Sequence, residues 1–244
     1  MDFIKIIRLK ETDSTNRYLK EYDGDEGSLM TIVLAEYQTA GKGQGQNSWE
    51  SERGMNLTFS VKIYPTNVPV IRQYVLLEAK SLAIAETLRI YTDCITIKWP
   101  NDVYWKDWKI SGTLSECVIA GNRIRSCILG TGINVNQETF TSNAPNPISL
   151  KQITGKDIDK DILLNAFIKN FQTYLDMINR GKLDDIHSLY EKNLYRRDEV
   201  FKYSDCNGEF MASIYKVEPE GNLVLQRVDG SLSKYAFKEV EVVL

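Results

Sequence analysis

Four charged side chains of this 244-residue chain are placed where their types and spacing allow chemistry: Lys42, Lys98, Asp102 and Lys109. Lys98 ends the apolar run CITIKW, and a lysine embedded in a buried run calls for an anionic partner. Lys109 is a second cation, entering the strand-like segment KISGTLSE. Asp102 follows Pro100 in KWPNDVYW, where the proline interrupts a strand pattern, turns the chain and exposes Asn101 and Asp102 at a strand end. A plain turn accounts for that tripeptide equally well. Lysines of this kind, one acid and thinned backbone suit electrostatic stabilisation of phosphate. The chain holds one histidine, His187, which leaves a multi-histidine zinc site without ligands and argues against a Ser-His-Asp triad. His187 itself follows helical spacing with Leu183, Ile186, Leu189 and Tyr190 and reads as a helix residue beside the core.

Lys42 belongs to AEYQTAGKGQGQNSW (residues 35–49), in which Gly41, Gly43 and Gly45 alternate after an apolar run. A Walker loop needs Ser or Thr where Gly43 stands, and the dinucleotide fingerprint needs a glycine at Gln46. Both named phosphate motifs fail. What remains is a loop with several backbone N–H groups, one cation and an aromatic anchor, Trp49, able to order over an anion. Two further glycine-thinned strands share the theme. Gly112 in KISGTLSE signals close approach of a ligand or another backbone. LGTGINVN (129–136) places Gly130 and Gly132 in a strand that ends at Asn134, and a sheet bend explains those glycines equally. DSTN offers Ser14, Thr15 and Asn16 at a helix start, with Asp13 or Ser14 as the cap.

The elements that must carry these residues follow from periodicity. Strands are expected over FIKIIRL, LMTIVLAEY and MNLTFSVKIY, then around CITIKW, DVYW, KISGTLSECVI and RIRSCILGTGINV. AGN at 120–122 reads as a hairpin turn between the last two. Residues 68–91 form an amphipathic helix with Arg72, Val75, Leu76, Ala79, Leu82, Ala83 and Leu88 near one face. A second helix carries Leu163, Phe167, Phe171, Tyr174 and Ile178 and stops at Gly181. After Tyr195 the texture changes to short strands broken by NG, EGN and DG, as in a small β-barrel. The fold class is therefore α+β: a mixed sheet with flanking helices over residues 1–194, followed by an all-β unit over 195–244.

Composition narrows the function classes. The chain is 43% hydrophobic and 26% charged, with 30 basic and 33 acidic residues and a formal net charge of -3. That balance argues against a dedicated nucleic-acid binder. No stretch approaches the roughly 20 apolar residues of a membrane span, and the charged N-terminus is not a signal peptide. Cys94, Cys117 and Cys127 lie in predicted strands or at their edges, where buried free thiols are expected, and Cys206 completes the four. With no export signal, a reducing cytoplasm is the expected compartment.

STN, AEYQTAGKGQGQNSW, KWPND, KISGTLSE and GTGINVN, in this order and spacing, resemble the motifs of the biotin–protein ligases. The resemblance runs from about residue 7 to 136, and the C-terminal segment is similar to the SH3-type barrel that ends those enzymes. It implies a class II synthetase-like ligase fold and a two-step reaction: biotin and Mg-ATP give biotinyl-5′-AMP, and the biotinyl group then passes to a carrier lysine. Ser14, Thr15 and Gln38 would bond the ureido head of biotin, supported by Asn16. Lys109 would bind the carboxylate and α-phosphate as the leading catalytic residue, with Asp102 steering or deprotonating the incoming amine. Gly112 and Leu114 would wall the biotin pocket. The loop holding Gly41, Lys42, Gly43, Gln44, Asn47 and Trp49 would close over biotin and adenylate. Lys98, Asn101, Asp102 and Asn134 would serve the nucleotide side, with Mg²⁺ expected near Asp102.

This sequence departs from the arginine-rich loop common in bacterial members, roughly Gly-Arg-Gly-Arg-x-Gly-Arg-x-Trp. Lys42, Gln44 and Asn47 stand at the arginine positions and Gln46 at a glycine. Lysine keeps charge without the bidentate fork and glutamine loses it, so a weaker hold on the adenylate is expected. No helix-turn-helix precedes the first strand, so a DNA-binding role is expected to be absent. The implied partner is a biotin carboxyl carrier protein or domain, for a ligase that is a monomer or a homodimer. A lipoate–protein ligase of the same fold and a non-catalytic biotin-binding protein are the alternatives.

Overall fold

The computed structural model describes residues 4–23, 27–43, 45, 47–141 and 146–243. Seven strands form one sheet in the order β1-β2-β3-β7-β6-β5-β4. They are β1 (Ile4–Leu9), β2 (Met30–Ala35), β3 (Leu57–Ile63), β4 (Ile95–Lys98), β5 (Asp102–Trp105), β6 (Trp108–Ala120) and β7 (Arg123–Ile133). Only β1 and β2 run parallel; every other neighbouring pair is antiparallel. This is the mixed sheet expected from the sequence. The β6–β7 hairpin closes with Ala120 opposite Arg123, and Gly121 supplies the positive φ of 60° that the two-residue turn needs.

Helices α1 (Thr15–Glu21), α2 (Tyr74–Leu88), α3 (Leu150–Thr154), α4 (Lys160–Asn179) and α5 (Leu183–Lys192) are divided unequally between the two faces. α2 packs on the sheet, and α4 and α5 pack on α2. β3 shows why the faces differ. Leu57, Phe59, Val61 and Ile63 join the main hydrophobic cluster with α2 and α4, while Thr58, Ser60 and Lys62 alternate onto the other side. On that second face α1 covers only the β2–β3–β7 end. Lys62 holds it there, its Nζ donating to the Leu19 and Tyr22 carbonyls at 3.1 and 2.8 Å, where a helix C-terminus favours a cation. The β5–β6 end of that face is left for a cavity.

α2 differs from the amphipathic helix expected from its pattern. It is buried all round, including Glu78, Lys80, Ser81 and Thr87, because the sheet lies on one side and α4 and α5 on the other. Periodicity registers the sheet-facing stripe and is blind to a second layer. α4 follows its predicted face, starts on an Asp159 cap and ends with Gly181 at φ 73°.

The C-terminal strands β8 (Phe201–Asp205), β9 (Gly208–Val217), β10 (Leu223–Arg227), β11 (Leu232–Tyr235) and β12 (Val240–Val242) form a separate antiparallel sheet in the order β11-β10-β9-β8-β12. Its inward residues, among them Tyr203, Val217 and Leu225, join the same hydrophobic cluster as α2 and α4. Polar contacts also tie it down. The Trp99 indole donates to the Gly221 carbonyl at 2.9 Å, and His187 on α5 lies 2.7 Å from Glu78 and 3.0 Å from the Val217 carbonyl. His187 therefore does sit beside the core, as a three-way clamp between layers.

Candidate active site

The uncovered end of the sheet opens into a cavity of about 1080 Å³. It is lined by Ser14, Thr15, Asn16, Gln38, Lys42, Gly43, Asn47, Trp49, Lys98, Asn101, Asp102, Lys109, Gly112, Leu114 and Asn134. These come from segments far apart in sequence, and the sheet register brings them together. Of the other residues expected here, Gly41 stands just behind the wall: a Cβ on it would meet the Trp49 carbonyl at 2.9 Å. Gln44, like Gln46, lies outside the described residues.

One end is densely bonded and carries no net charge, its Lys20 and Glu116 being paired with each other. Gln38 Oε1 accepts from the Thr15 backbone N–H at 2.8 Å and from Thr15 Oγ1 at 3.0 Å. Thr15 Oγ1 lies 2.6 Å from Ser60 Oγ, which donates to Asn16 Oδ1 at 2.6 Å. Asn16 Nδ2 donates to Glu116 at 2.7 Å, and Lys20 pairs with the other Glu116 oxygen at 2.6 Å. Ser14 occupies the N-cap position with extended backbone, yet its hydroxyl makes no capping bond. The capping explanation for DSTN therefore fails for that side chain. Ser60, Thr58 and Glu116 were not singled out from the sequence. Their signal was the period-two polarity of LTFSVKI and LSE.

Glycines set the shape of this end. A Cβ on Gly130 would come within 2.1 Å of Asn16 Oδ1, and one on Gly132 within 2.1 Å of the Trp49 indole. Close approach of side chains therefore requires both glycines, beyond any sheet bend. Trp49 is held by a tight hairpin in the glycine loop: Gly43 N–H donates to the Asn47 carbonyl at 2.7 Å and Trp49 N–H to the Gly41 carbonyl at 3.0 Å. Trp49 Nε1 and Thr58 Oγ1 are buried with no hydrogen-bond partner among the described residues, and both residues line the cavity. At a cavity wall such groups are open to a polar ligand.

The other end is charged. Lys109 Nζ pairs with Asp102 Oδ2 at 2.6 Å, each side chain 23% exposed. A β-bulge makes this possible. Val103 pairs with Ser111 but Tyr104 with Lys109, so Ile110 is the extra residue. Strict alternation would put positions 109 and 112 on opposite faces. The bulge sends Ile110 into the core and turns Lys109 toward Asp102, where a Cβ on Gly112 would lie 3.3 Å from its Nζ and 3.0 Å from Asp102 Oδ1. Lys109 is further fixed by its backbone, which bonds the Asn146 carbonyl at 2.7 Å and the Ile148 N–H at 2.9 Å.

Asn134, expected on the nucleotide side, lines the cavity. Its amide donates to the Ile148 carbonyl at 3.1 Å, tying down the segment that fixes Lys109, so its described bonds are positional. Lys98 departs from the simple expectation of an anionic partner of its own. Its Nζ lies 3.3 Å from the Tyr104 hydroxyl and over that ring, and Asp102 is paired to Lys109. Burial lowers its pKa below the ordinary lysine value, Asp102 opposes that, and Lys109 adds to it. Asn101 donates to the Thr113 carbonyl, and the Pro100 carbonyl accepts from Tyr74 at 3.0 Å and Tyr190 at 2.9 Å. The Pro100 turn, whose Trp99–Pro100 bond is cis, is thus anchored from α2 and α5.

The C-terminal sheet supplies part of the wall, which sequence reasoning missed. Tyr203, Phe237, Lys238 and Glu241 line the cavity, and the buried Tyr203 hydroxyl has no partner among the described residues. Lys238 Nζ lies so near Gly45 that a Cβ there would meet it at 1.9 Å. A cation therefore reaches the tip of the glycine loop from across the cavity.

The Biotin/lipoate A/B protein ligase family profile matches residues 9–134, just over half of the chain and including every glycine-thinned strand described above. The chain belongs to this family. Among curated proteins, it is 31% identical over 238 residues to the bifunctional ligase/repressor BirA of Bacillus subtilis, covering 93% of this chain and 70% of that protein. It is 30% identical over 184 residues to the biotin–[acetyl-CoA-carboxylase] ligase of Paracoccus denitrificans, covering 69% and 73%. Among solved structures, the biotin protein ligase of Aquifex aeolicus in complex with biotin and ATP superposes with a TM-score of 0.80 at 27% identity over 98% of both chains. The family's mixed-sheet domain and smaller C-terminal unit correspond to the two sheets found here.

Among the described residues no group of three or more His, Cys, Asp or Glu gathers to hold a metal. Asp102 is the one acid paired to a lysine at the charged end, which fits Mg²⁺ arriving on nucleotide phosphates with few protein ligands. Four free cysteines complete the inventory. Cys127 is buried, Cys117 partly so, while Cys94 and Cys206 are exposed. Cys94 thus departs from the buried thiol expected of it, because it precedes β4 at a positive φ of 61°.

Proposed function

We propose that the protein is an ATP-dependent biotin–protein ligase that activates biotin as biotinyl-5′-AMP and transfers it to a lysine of a biotin carboxyl carrier protein or domain. The observation that carries this reading is the two-ended cavity: a neutral pocket joined to a lysine–aspartate end. The neutral end suits an uncharged ureido ring. Gln38 Oε1 is occupied by Thr15, which turns Nε2 toward an acceptor, and Thr58 and Trp49 hold unspent donors. The charged end suits a carboxylate and phosphate brought together.

In the first step a biotin carboxylate oxygen bonds to the α-phosphorus and the bond to pyrophosphate breaks. Lys109 neutralises the charge that converges there, and Lys98 and Lys42 line the same cavity. Mg²⁺ would be held by the phosphates near Asp102 and would offset their charge. In the second step a carrier lysine amine attacks the acyl carbon, AMP leaves, and the amine loses a proton. Asp102 is the acid placed to receive or steer that amine. We place the site on residues 1–194, with 195–244 closing one side, in a cytoplasmic enzyme.

The test is biotinylation of a purified carrier domain with biotin and Mg-ATP, with Lys109→Ala as control. No biotinylated carrier would sink the proposal. Lipoate in place of biotin in ATP–pyrophosphate exchange separates the related ligase, and biotin binding without AMP release would identify a non-catalytic binder. For Asp102, unchanged transfer from preformed biotinyl-AMP by Asp102→Asn would remove its assigned role.

A further inference from the structure

Cys117 on β6 and Cys127 on β7 stand opposite each other in the strand register, and their sulfurs are 2.7 Å apart. Directly opposed antiparallel residues have Cα atoms about 4.5–5.5 Å apart. That lies inside the range of about 4.4–6.8 Å that a disulfide spans, so the register holds the pair at bonding distance. Neither cysteine lines the active-site cavity. Both project from the helix-side face, behind Glu116, whose carboxylate holds Asn16 and Lys20 on the pocket side.

The two thiols differ in a way that orders their chemistry. Cys117 is partly exposed and Cys127 buried. Hydrogen bonding from Cys127 lowers the Cys117 thiol below its ordinary value against the opposing effect of burial, and Ser115 adds to the lowering. Cys127 is raised, first by that same bond and then by burial, while Lys80 opposes the rise. Lys80, buried on α2, has no acid partner among the described residues; it donates to the Leu129 carbonyl at 2.5 Å and packs on the Phe59 and Phe167 rings.

We propose that Cys117 and Cys127 are a modification site, forming a reversible cross-strand disulfide at the expense of a low-molecular-weight disulfide such as oxidised glutathione. The Cys117 thiolate attacks one sulfur of the oxidant, its S–S bond breaks, and one glutathione leaves as thiolate and takes up a proton. Cys127 then attacks the Cys117 sulfur of the mixed disulfide. The second glutathione departs and accepts the Cys127 proton. Two protein thiols are oxidised to one disulfide, and one glutathione disulfide is reduced to two thiols. The bond would staple the β6–β7 hairpin on the far side of the pocket wall.

The experiment equilibrates the full chain with mixtures of oxidised and reduced glutathione, alkylates free thiols and maps peptides by mass. The expected result is a Cys117–Cys127 cross-linked peptide, lighter by two hydrogens and restored by dithiothreitol. Cys94 and Cys206 should carry only glutathione adducts, and Cys127→Ser should trap glutathione on Cys117. Glutathione accumulating on wild-type Cys117 with Cys127 alkylated would overturn the proposal. So would an unchanged pair under conditions that modify Cys94 and Cys206. The readout is independent of ligase activity.

Discussion

The two ends of the cavity are built on opposite plans. At the neutral end, Thr15, Gln38, Ser60, Asn16 and Glu116 are bonded to one another, so the pocket is rigid before any ligand arrives. At the charged end, Lys98, Lys109 and Lys238 converge from three elements and outnumber the carboxylates Asp102 and Glu241 that share the wall. The contrast shows how one site can recognise an uncharged ring by shape and hydrogen bonding, and an anion by stored positive potential.

The largest effect should come from Lys109→Ala. We expect kcat/KM for carrier biotinylation to fall about 10²–10³-fold, the cost of removing a preorganised charge-stabilising donor. Biotin affinity by calorimetry should fall by less, because Lys109 meets the carboxylate and not the ring; an equal loss in both would erase the division between ends. Next is Gly132→Ala, which drives a Cβ into the Trp49 indole. Overpacking of about 1–3 kcal/mol is expected, weakening biotin at least several-fold without a change in ATP binding.

Ser60→Ala strands Asn16 Oδ1 in a buried site. A loss of about 1 kcal/mol or somewhat more, seen as roughly tenfold weaker biotin binding, should again spare ATP. Lys238→Ala should do the reverse, weakening ATP a few-fold at low salt and less at high salt, because that amine is exposed and screened. Biotin loss with this variant would break the comparison from the other side.

The smallest effect concerns the clamp beneath the charged end. The hydrogen bond to Glu78 raises the His187 pKa above 6.5, and burial raises that of Glu78. Raised values in the folded state mean stability that is present below the unfolded pKa and lost as pH rises through the folded one. The melting temperature should therefore fall between pH 6 and 8 more in the wild type than in His187→Gln, by a few degrees at most. Identical slopes would show that the pair contributes nothing.

Much of this was legible in the sequence. The strands around the glycine-thinned motifs, the hairpin turn at Gly121 and the α4 face followed from local periodicity and backbone freedom. Lys109, Asp102, Thr15 and Gln38 were found by motif order, and the structure gathers them at one cavity. Three features were not legible. The bulge at Ile110 depends on the register with β5, the all-round burial of α2 depends on a second helix layer, and Lys238 depends on how the C-terminal sheet packs. None leaves a mark within a few residues of itself.

The sequence alone determined which residues form strands and helices and which carry charge, because those properties are local: side-chain period, turn chemistry and ionisation. Only the tertiary structure decided that Lys109 meets Asp102, that Ser60 completes a chain from Gln38 to Glu116, and that Lys238 reaches Gly45. Those contacts join segments up to about two hundred residues apart. They are fixed by sheet register and layer packing, which no stretch of chain specifies by itself.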